Sequence, residues 1–216
     1  MLLTGCREAG RDSARTPRAP GEYQASGVRR TDTRRVILFV GTSLTAGLGV
    51  DPDQAFPAVI QRRIDSLQLP YRVQNAGVSG ETSAGALRRL PWLLQAPFAV
   101  LVLETGANDG LRGLDPDSTR ANIDAIVRAV RARDSTARIV LVGMEAPPNM
   151  GPRFTSRFRA IFPAIAQRER LALVPFLLAG VGGVDSLNQG DGIHPNPRGH
   201  RIVAGTVWQV LRPLLR

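Results

Sequence analysis

Val36-Ile37-Leu38-Phe39-Val40-Gly41-Thr42-Ser43-Leu44-Thr45-Ala46-Gly47-Leu48-Gly49 runs from an unbroken apolar segment straight into small and hydroxylated residues. An apolar run of this length, without polar alternation, fits a strand buried on both faces of a parallel sheet. The small residues after it fit a tight turn that leaves Ser43 at the strand's carboxyl end. In open α/β sheets ligands bind at that end. Ser43 is therefore a candidate nucleophile, and the remaining sequence has to be searched for a base and for donors to an oxyanion.

Working outward, four more segments look like the first strand: Tyr71–Asn75, Phe98–Glu104, Ile139–Met144 and Leu171–Pro175. Segments with apolar residues at helical spacing alternate with them: Gln54–Leu67, Thr82–Leu94, Ser118–Arg131, Thr155–Arg168 and Pro197–Leu211. Asp117 or Ser118 is the expected N-cap of the third, and Pro197 suits the first turn of the last. Strand–helix alternation of this kind predicts an α/β fold, a three-layer α/β/α sandwich with right-handed crossovers. Residues 35–216 are expected to form one domain, with no internal repeat.

The chain has 216 residues and a net charge of +10, and all of its basic residues are arginine. Residues 1–35 carry 8 Arg against 4 acidic residues. In the rest of the chain the arginines are scattered, many on expected helix faces (Arg62, Arg63, Arg88, Arg89, Arg128, Arg131). A nucleic-acid binder concentrates charge in one stripe and adds aromatics for stacking; aromatics are only 5% of this chain. Nucleic acid is therefore not an expected partner. No apolar run is long enough to span a bilayer as a helix. There is no G-x-G-x-x-G after the first strand and no P-loop. Cys6 is the only cysteine, which rules out an intramolecular disulfide.

Four short blocks fall at the ends of expected strands or the starts of expected helices. They are Gly41-Thr42-Ser43-Leu44, Asn75 to Thr82, Glu104 to Gly110, and Asp191-Gly192-Ile193-His194-Pro195. A serine hydroxyl needs an adjacent base to attack an acyl group. Imidazole serves as one near neutral pH, and a carboxylate orients the ring. One turn brings Asp191 and His194 together, three residues apart. The oxyanion needs preorganised donors: Ser43 and Gly80 can offer backbone N–H groups and Asn108 its side-chain amide. Each residue also has a plain structural reading. Ser43 could be a helix N-cap, Gly80 a turn glycine and Asn108-Asp109-Gly110 a turn. His200 fits a structural or surface place on the last helix.

Taken together, the four blocks resemble the SGNH hydrolase family, also called GDSL esterases and lipases, over nearly all of residues 35–214. Within it the likeness is greatest to the bacterial multifunctional thioesterase, arylesterase and lysophospholipase group. That resemblance rests on Gly77 to Thr82, Gly106 to Gly113, Asp191 to Asn196, and Pro147-Pro148-Asn149-Met150-Gly151 before a Phe-rich helix. It implies a flavodoxin-like five-stranded parallel sheet and a serine mechanism with neither metal nor cofactor. Ser43, Asp191 and His194 would be catalytic; Ser43, Gly80 and Asn108 would form the oxyanion hole; Leu111, Arg112 and Asn149 would contact substrate. The loop Gly110–Gly113 resembles an acyl-pocket segment with glycine hinges. Thr42 stands where the family usually has aspartate.

The expected substrates are small-molecule esters, thioesters or lysolipids. Carbohydrate O-acetyl hydrolysis is the alternative within this chemistry, and a non-catalytic flavodoxin-like binding module is the alternative outside it. Oligomeric state is left open. Leu3-Thr4-Gly5-Cys6 resembles a bacterial lipobox, and residues 1–34 have the composition of a flexible tether. The expectation is a lipid anchor at Cys6 and a periplasmic or extracytoplasmic location, with a cytoplasmic one as the alternative. A signal peptide needs an apolar region of about 7–15 residues, and only five residues precede Cys6, so either the start of translation lies upstream or the match is accidental.

Overall fold

The computed structural model describes residues 32–215. Cys6 and all but the last three residues of the expected tail lie outside the described residues. Five parallel strands form one sheet in the order β2-β1-β3-β4-β5. They are β1 (Arg35–Gly41), β2 (Tyr71–Gly77), β3 (Val100–Glu104), β4 (Arg138–Val142) and β5 (Ala172–Val174). Both neighbours of β1 pair with it in parallel, Phe39 opposite Asn75 on one side and Val102 on the other. Ile37, Phe39, Val100, Leu103, Val140 and Leu141 are fully buried, as a central strand covered on both faces requires.

The described residues form seven α-helices: α1 (Ser43–Ala46), α2 (Phe56–Ser66), α3 (Ser83–Leu93), α4 (Ala107–Leu111), α5 (Pro116–Arg133), α6 (Pro152–Glu169) and α7 (Pro197–Leu211). Helix α2 packs on α7, while α5 lies between α3 and α6. These two groups are the outer layers of the sandwich. The helical spacing read from the sequence puts Ile60 and Ile64 of α2, Ile123 and Val127 of α5, Phe158 and Ile165 of α6, and Val203 and Val207 of α7 on inner faces, and all are buried; Leu67 and Ile202, apolar positions of the same expected segments, are exposed.

Most boundaries differ from the sequence reading by one to three residues, and two helix starts have a clear cause. Helix α5 is capped by Asp115, whose side chain accepts from the N–H of Ser118, and starts at Pro116; neither Asp117 nor Ser118 is the cap. Helix α6 starts at Pro152, behind Gly151 at φ +84°, three residues before Thr155. In both cases proline takes the first turn, where its missing N–H costs nothing.

The strand order reverses direction between β1 and β3. This switch point opens a crevice beyond the carboxyl ends of those two strands. The turns leaving β1 and β3 carry Ser43 and Asn108.

Candidate functional site

Ser43 is the first residue of α1, and Thr42 is its N-cap. The capping role that a serine could have filled is therefore taken by its neighbour. The Ser43 hydroxyl instead lies 2.9 Å from His194 Nε2. His194 Nδ1 is 2.6 Å from Asp191 Oδ2. An ionised carboxylate only accepts, so the ring proton sits on Nδ1 and Nε2 is left as the acceptor for the serine O–H. The structure thus joins three side chains from opposite ends of the chain in one chain of proton donors and acceptors.

The loop carrying the acid and the imidazole is held at both ends. Asp191 Oδ1 accepts the N–H of Ile193 at 2.9 Å and of His194 at 3.0 Å. Gln189 N–H donates to the His194 carbonyl, and its side-chain amide donates to Leu48 O at 2.7 Å, which ties the loop to the segment after α1. Asn196 then caps α7 through Arg198 N and Gly199 N. The hydrogen bonds from the His194 N–H, the His194 ring and the Ile193 N–H hold the Asp191 carboxyl down at about 2. Asp191 is therefore charged at any pH at which the imidazole can act.

Three candidate donors come from the turns around this site, and two of them, Ser43 and Asn108, line the same cleft. The N–H of Ser43 is one of the unsatisfied groups at a helix start. Gly80 is the third residue of the turn closed by Glu81 N to Val78 O, at φ +78°; this left-handed position favours glycine, and its N–H is spent on no partner among the described residues. Asn108 Nδ2 gives one proton to Glu81 O at 2.9 Å and keeps the other. The Gly80 turn lies against the Ser43 turn. Val78 N–H donates to Gly41 O at 2.8 Å. A Cβ on Gly77 would fall 2.3 Å from the Ala46 nitrogen, so only glycine permits this approach. Arg89 braces the turn with bonds of 2.6 and 2.7 Å to Glu81 and 2.7 Å to Ala76 O.

Glu104, at the end of β3, opens the block that runs to Gly110, and its sequence context points to no role for it. It is fully buried beneath the serine turn. Its Oε2 accepts Thr42 N–H at 2.7 Å and Thr45 O–H at 2.9 Å, and the Thr42 hydroxyl lies 3.0 Å from both its oxygens. Burial pushes its carboxyl above the ordinary range, against the pull of these hydrogen bonds. Thr42 thus ties the turn to a carboxylate. The missing signal was distance: the partners lie 62 residues apart.

A cleft of about 450 Å³ opens beside Ser43, Asn108 and His194, with Leu44, Leu111, Met144, Phe176, Leu178 and Ile193 among its walls. Leu111 lines it. Arg112 does not; its Nη2 donates to Gly80 O at 3.0 Å. Asn149 is exposed on a short 3-10 turn, Pro148–Met150, and the cleft wall there is Pro147 and Pro148. Gly110 is buried in α4, where a Cβ would meet Phe158 at 3.2 Å; it packs, and only Gly113, at φ +64°, has hinge geometry. His200 is buried, with Nδ1 accepting Phe56 N–H at 3.2 Å. Among the described residues, no group of three or more His, Cys, Asp or Glu could hold a metal ion.

Residues 39–202 match the model of the GDSL-like lipase/acylhydrolase family. The chain is 44% identical to esterase TesA of Pseudomonas aeruginosa over 182 residues, 84% of this chain and 90% of that protein. It is 37% identical to thioesterase 1/protease 1/lysophospholipase L1 of Escherichia coli K12 over 181 residues, 83% of this chain and 84% of that one. A crystal structure of TesA superposes with a TM-score of 0.79 at 44% identity, covering 84% of this chain and all of the other.

Proposed function

The chain belongs to the GDSL-like lipase/acylhydrolase family, and on that premise we propose how its serine hydrolyses ester bonds and which acyl groups it prefers. The observation that carries the reading is the 2.9 Å contact between Ser43 Oγ and His194 Nε2, with Asp191 behind the ring. His194 Nε2 takes the Ser43 proton as Oγ attacks the substrate carbonyl carbon. The oxyanion is held by the N–H groups of Ser43 and Gly80 and by the second Nδ2 proton of Asn108. The tetrahedral intermediate collapses, the bond to the leaving oxygen or sulfur breaks, and His194 returns the proton to that atom. Water, deprotonated by the same nitrogen, then attacks the Ser43 acyl ester. The acid leaves and Ser43 regains its proton.

The apolar cleft favours an acyl chain of several methylenes. An acetyl group would leave most of that wall in water, so hydrolysis of acetylated sugars fits the site less well. Esters, thioesters and lysolipids with medium chains are the proposed substrates. Replacing Ser43 by Ala should abolish p-nitrophenyl ester turnover while the fold, followed by circular dichroism, is kept; substantial residual activity would overturn the assignment. An extracytoplasmic place through a lipidated Cys6 is a further part of this proposal. An unmodified Cys6, seen by mass spectrometry after expression from an upstream start, would remove it.

A further inference from the structure

A second depression adjoins the Gly80 turn and differs chemically from the acyl cleft. It is about 480 Å³, and Gly80, Glu81, Arg88, Arg89 and Arg112 are among its walls. Of the charged residues here, Glu81 is the only acid, and it is already spent. Arg89 holds both of its oxygens in a two-pronged ion pair that leaves no net charge. The other two arginines face no carboxylate among the described residues. Arg112 gives one N–H to Gly80 O and keeps its remaining donors. Arg88 is exposed on α3. Some surface arginines are paired, Arg120 and Arg157 with Asp117 and Arg168 with Asp124; Arg128 on α5 has no carboxylate partner among the described residues, like Arg88, but lines neither depression.

Two uncompensated guanidinium groups therefore line a concave surface whose wall includes the glycine that offers an N–H to the oxyanion. The acyl cleft and this groove are neighbours, because Asn108 lines the first and donates to Glu81 in the wall of the second. With the carbonyl oxygen in the hole and the acyl chain in the cleft, the leaving group has this groove to occupy. Guanidinium recognises phosphate by paired, charge-assisted hydrogen bonds.

We propose that this groove is a phosphate-binding subsite for the leaving group, in which Arg88 and Arg112 hold a phosphate carried by the alcohol or thiol. The inference rests on the serine-esterase reading above and specifies its substrate class. The shared chemistry is a phosphate ester on the departing fragment. It can come from a lysophospholipid headgroup or from a phosphopantetheine-type thiol.

The test compares kcat/KM within two substrate pairs of equal acyl length. One pair is lauroyl-lysophosphatidylglycerol against monolauroylglycerol, and the other is lauroyl-CoA against the lauroyl thioester of N-acetylcysteamine. The readout is the ratio of phosphorylated to uncharged substrate in wild type, Arg88→Gln, Arg88→Lys and the charge control Arg128→Gln on the exposed face of α5. Arg88→Gln should lower the ratio about tenfold, the loss of one charge-assisted bond. Arg88→Lys should recover part of it, Arg128→Gln should leave it unchanged, and added salt should lower it. A fall in the first pair alone identifies the lipid headgroup, and a fall in the second alone identifies the thiol. Arg112 is left intact because it also supports Gly80. A ratio unmoved in Arg88→Gln, or moved equally in Arg128→Gln, would overturn the subsite. So would a wild-type enzyme that cleaves the uncharged substrates but neither phosphorylated one. If none of the four is cleaved, the esterase reading falls as well, a result distinct from loss of the ratio alone.

Discussion

At Ser43 the hydroxyl is free for chemistry because Thr42 caps the helix, and Thr42 is in turn fixed by Glu104. Glu104→Leu strands the Thr42 N–H and the Thr45 hydroxyl in a buried place, and should cost about 2–4 kcal/mol in urea unfolding together with a fall in kcat. Glu104→Gln keeps an acceptor for those groups and can donate to Thr42 Oγ1, so it should lose less on both measures; equal losses would show that the hydrogen bonds are not what matters. Asn108→Ala should lower kcat by roughly 10²–10³-fold if its free proton meets the oxyanion, and an unchanged kcat would remove it from that role. The rate should fall in acid along a single limb. Protonated His194 cannot accept the serine proton, whereas Asp191, held at about 2, stays charged throughout. Asp191→Asn should lower kcat by about 10⁴-fold through the wrong ring tautomer. The meeting of Ser43, Asp191 and His194 was legible in the sequence because each residue sits in a short local block. Glu104 was not, since nothing near residue 104 points to residue 42.

Among the elements, α2 begins without a side-chain cap from its own N-cap residue, Ala55. Helix α7 supplies the missing partner: His200 accepts the N–H of Phe56 and stacks on its ring at 6.4 Å. Burial, with a smaller contribution from His194, pushes the His200 imidazole down to about 4. In the unfolded chain a histidine takes its proton near pH 6.5, so the unfolded state binds more protons between these values. Stability from this group is present above about pH 6.5 and is lost as pH falls towards 4, by on the order of 3 kcal/mol. Urea unfolding at pH 7.5 and 5 should show the decline in wild type and a smaller one in His200→Gln; the same decline in both would exclude His200 as its source. The long elements were legible from apolar spacing. Helix α7 has the predicted bounds, Pro197–Leu211. The five-residue α4 was not, because its Asn108-Asp109-Gly110 sequence is equally a turn; its place is fixed by Asp109, which binds Ser83 N–H and hydroxyl at 2.8 and 2.5 Å on α3.

For the whole molecule, the strand order β2-β1-β3-β4-β5 puts the turns after β1 and β3 side by side, with the Asp191–His194 loop across them. An apolar cleft opens beside Ser43 on this rim, and the arginine-walled groove adjoins the neighbouring Gly80 turn. Lengthening the acyl chain should raise kcat/KM by about fourfold per methylene, about 0.8 kcal/mol each, until the cleft is filled. A series of p-nitrophenyl esters from acetyl to lauroyl checks this, and a maximum at acetyl would contradict the assignment of the cleft. Of the cleft only Leu111 was foreseen from the sequence, because the other walls come from segments as distant as Leu44, Met144 and Ile193. The most direct test of the central claim is to react the folded protein with a labelled fluorophosphonate and map the modified peptide, in wild type and in His194→Ala. Labelling confined to Ser43, and lost when the imidazole is removed, is the predicted result; labelling of another residue, or none in an enzyme that still cleaves esters, would contradict it.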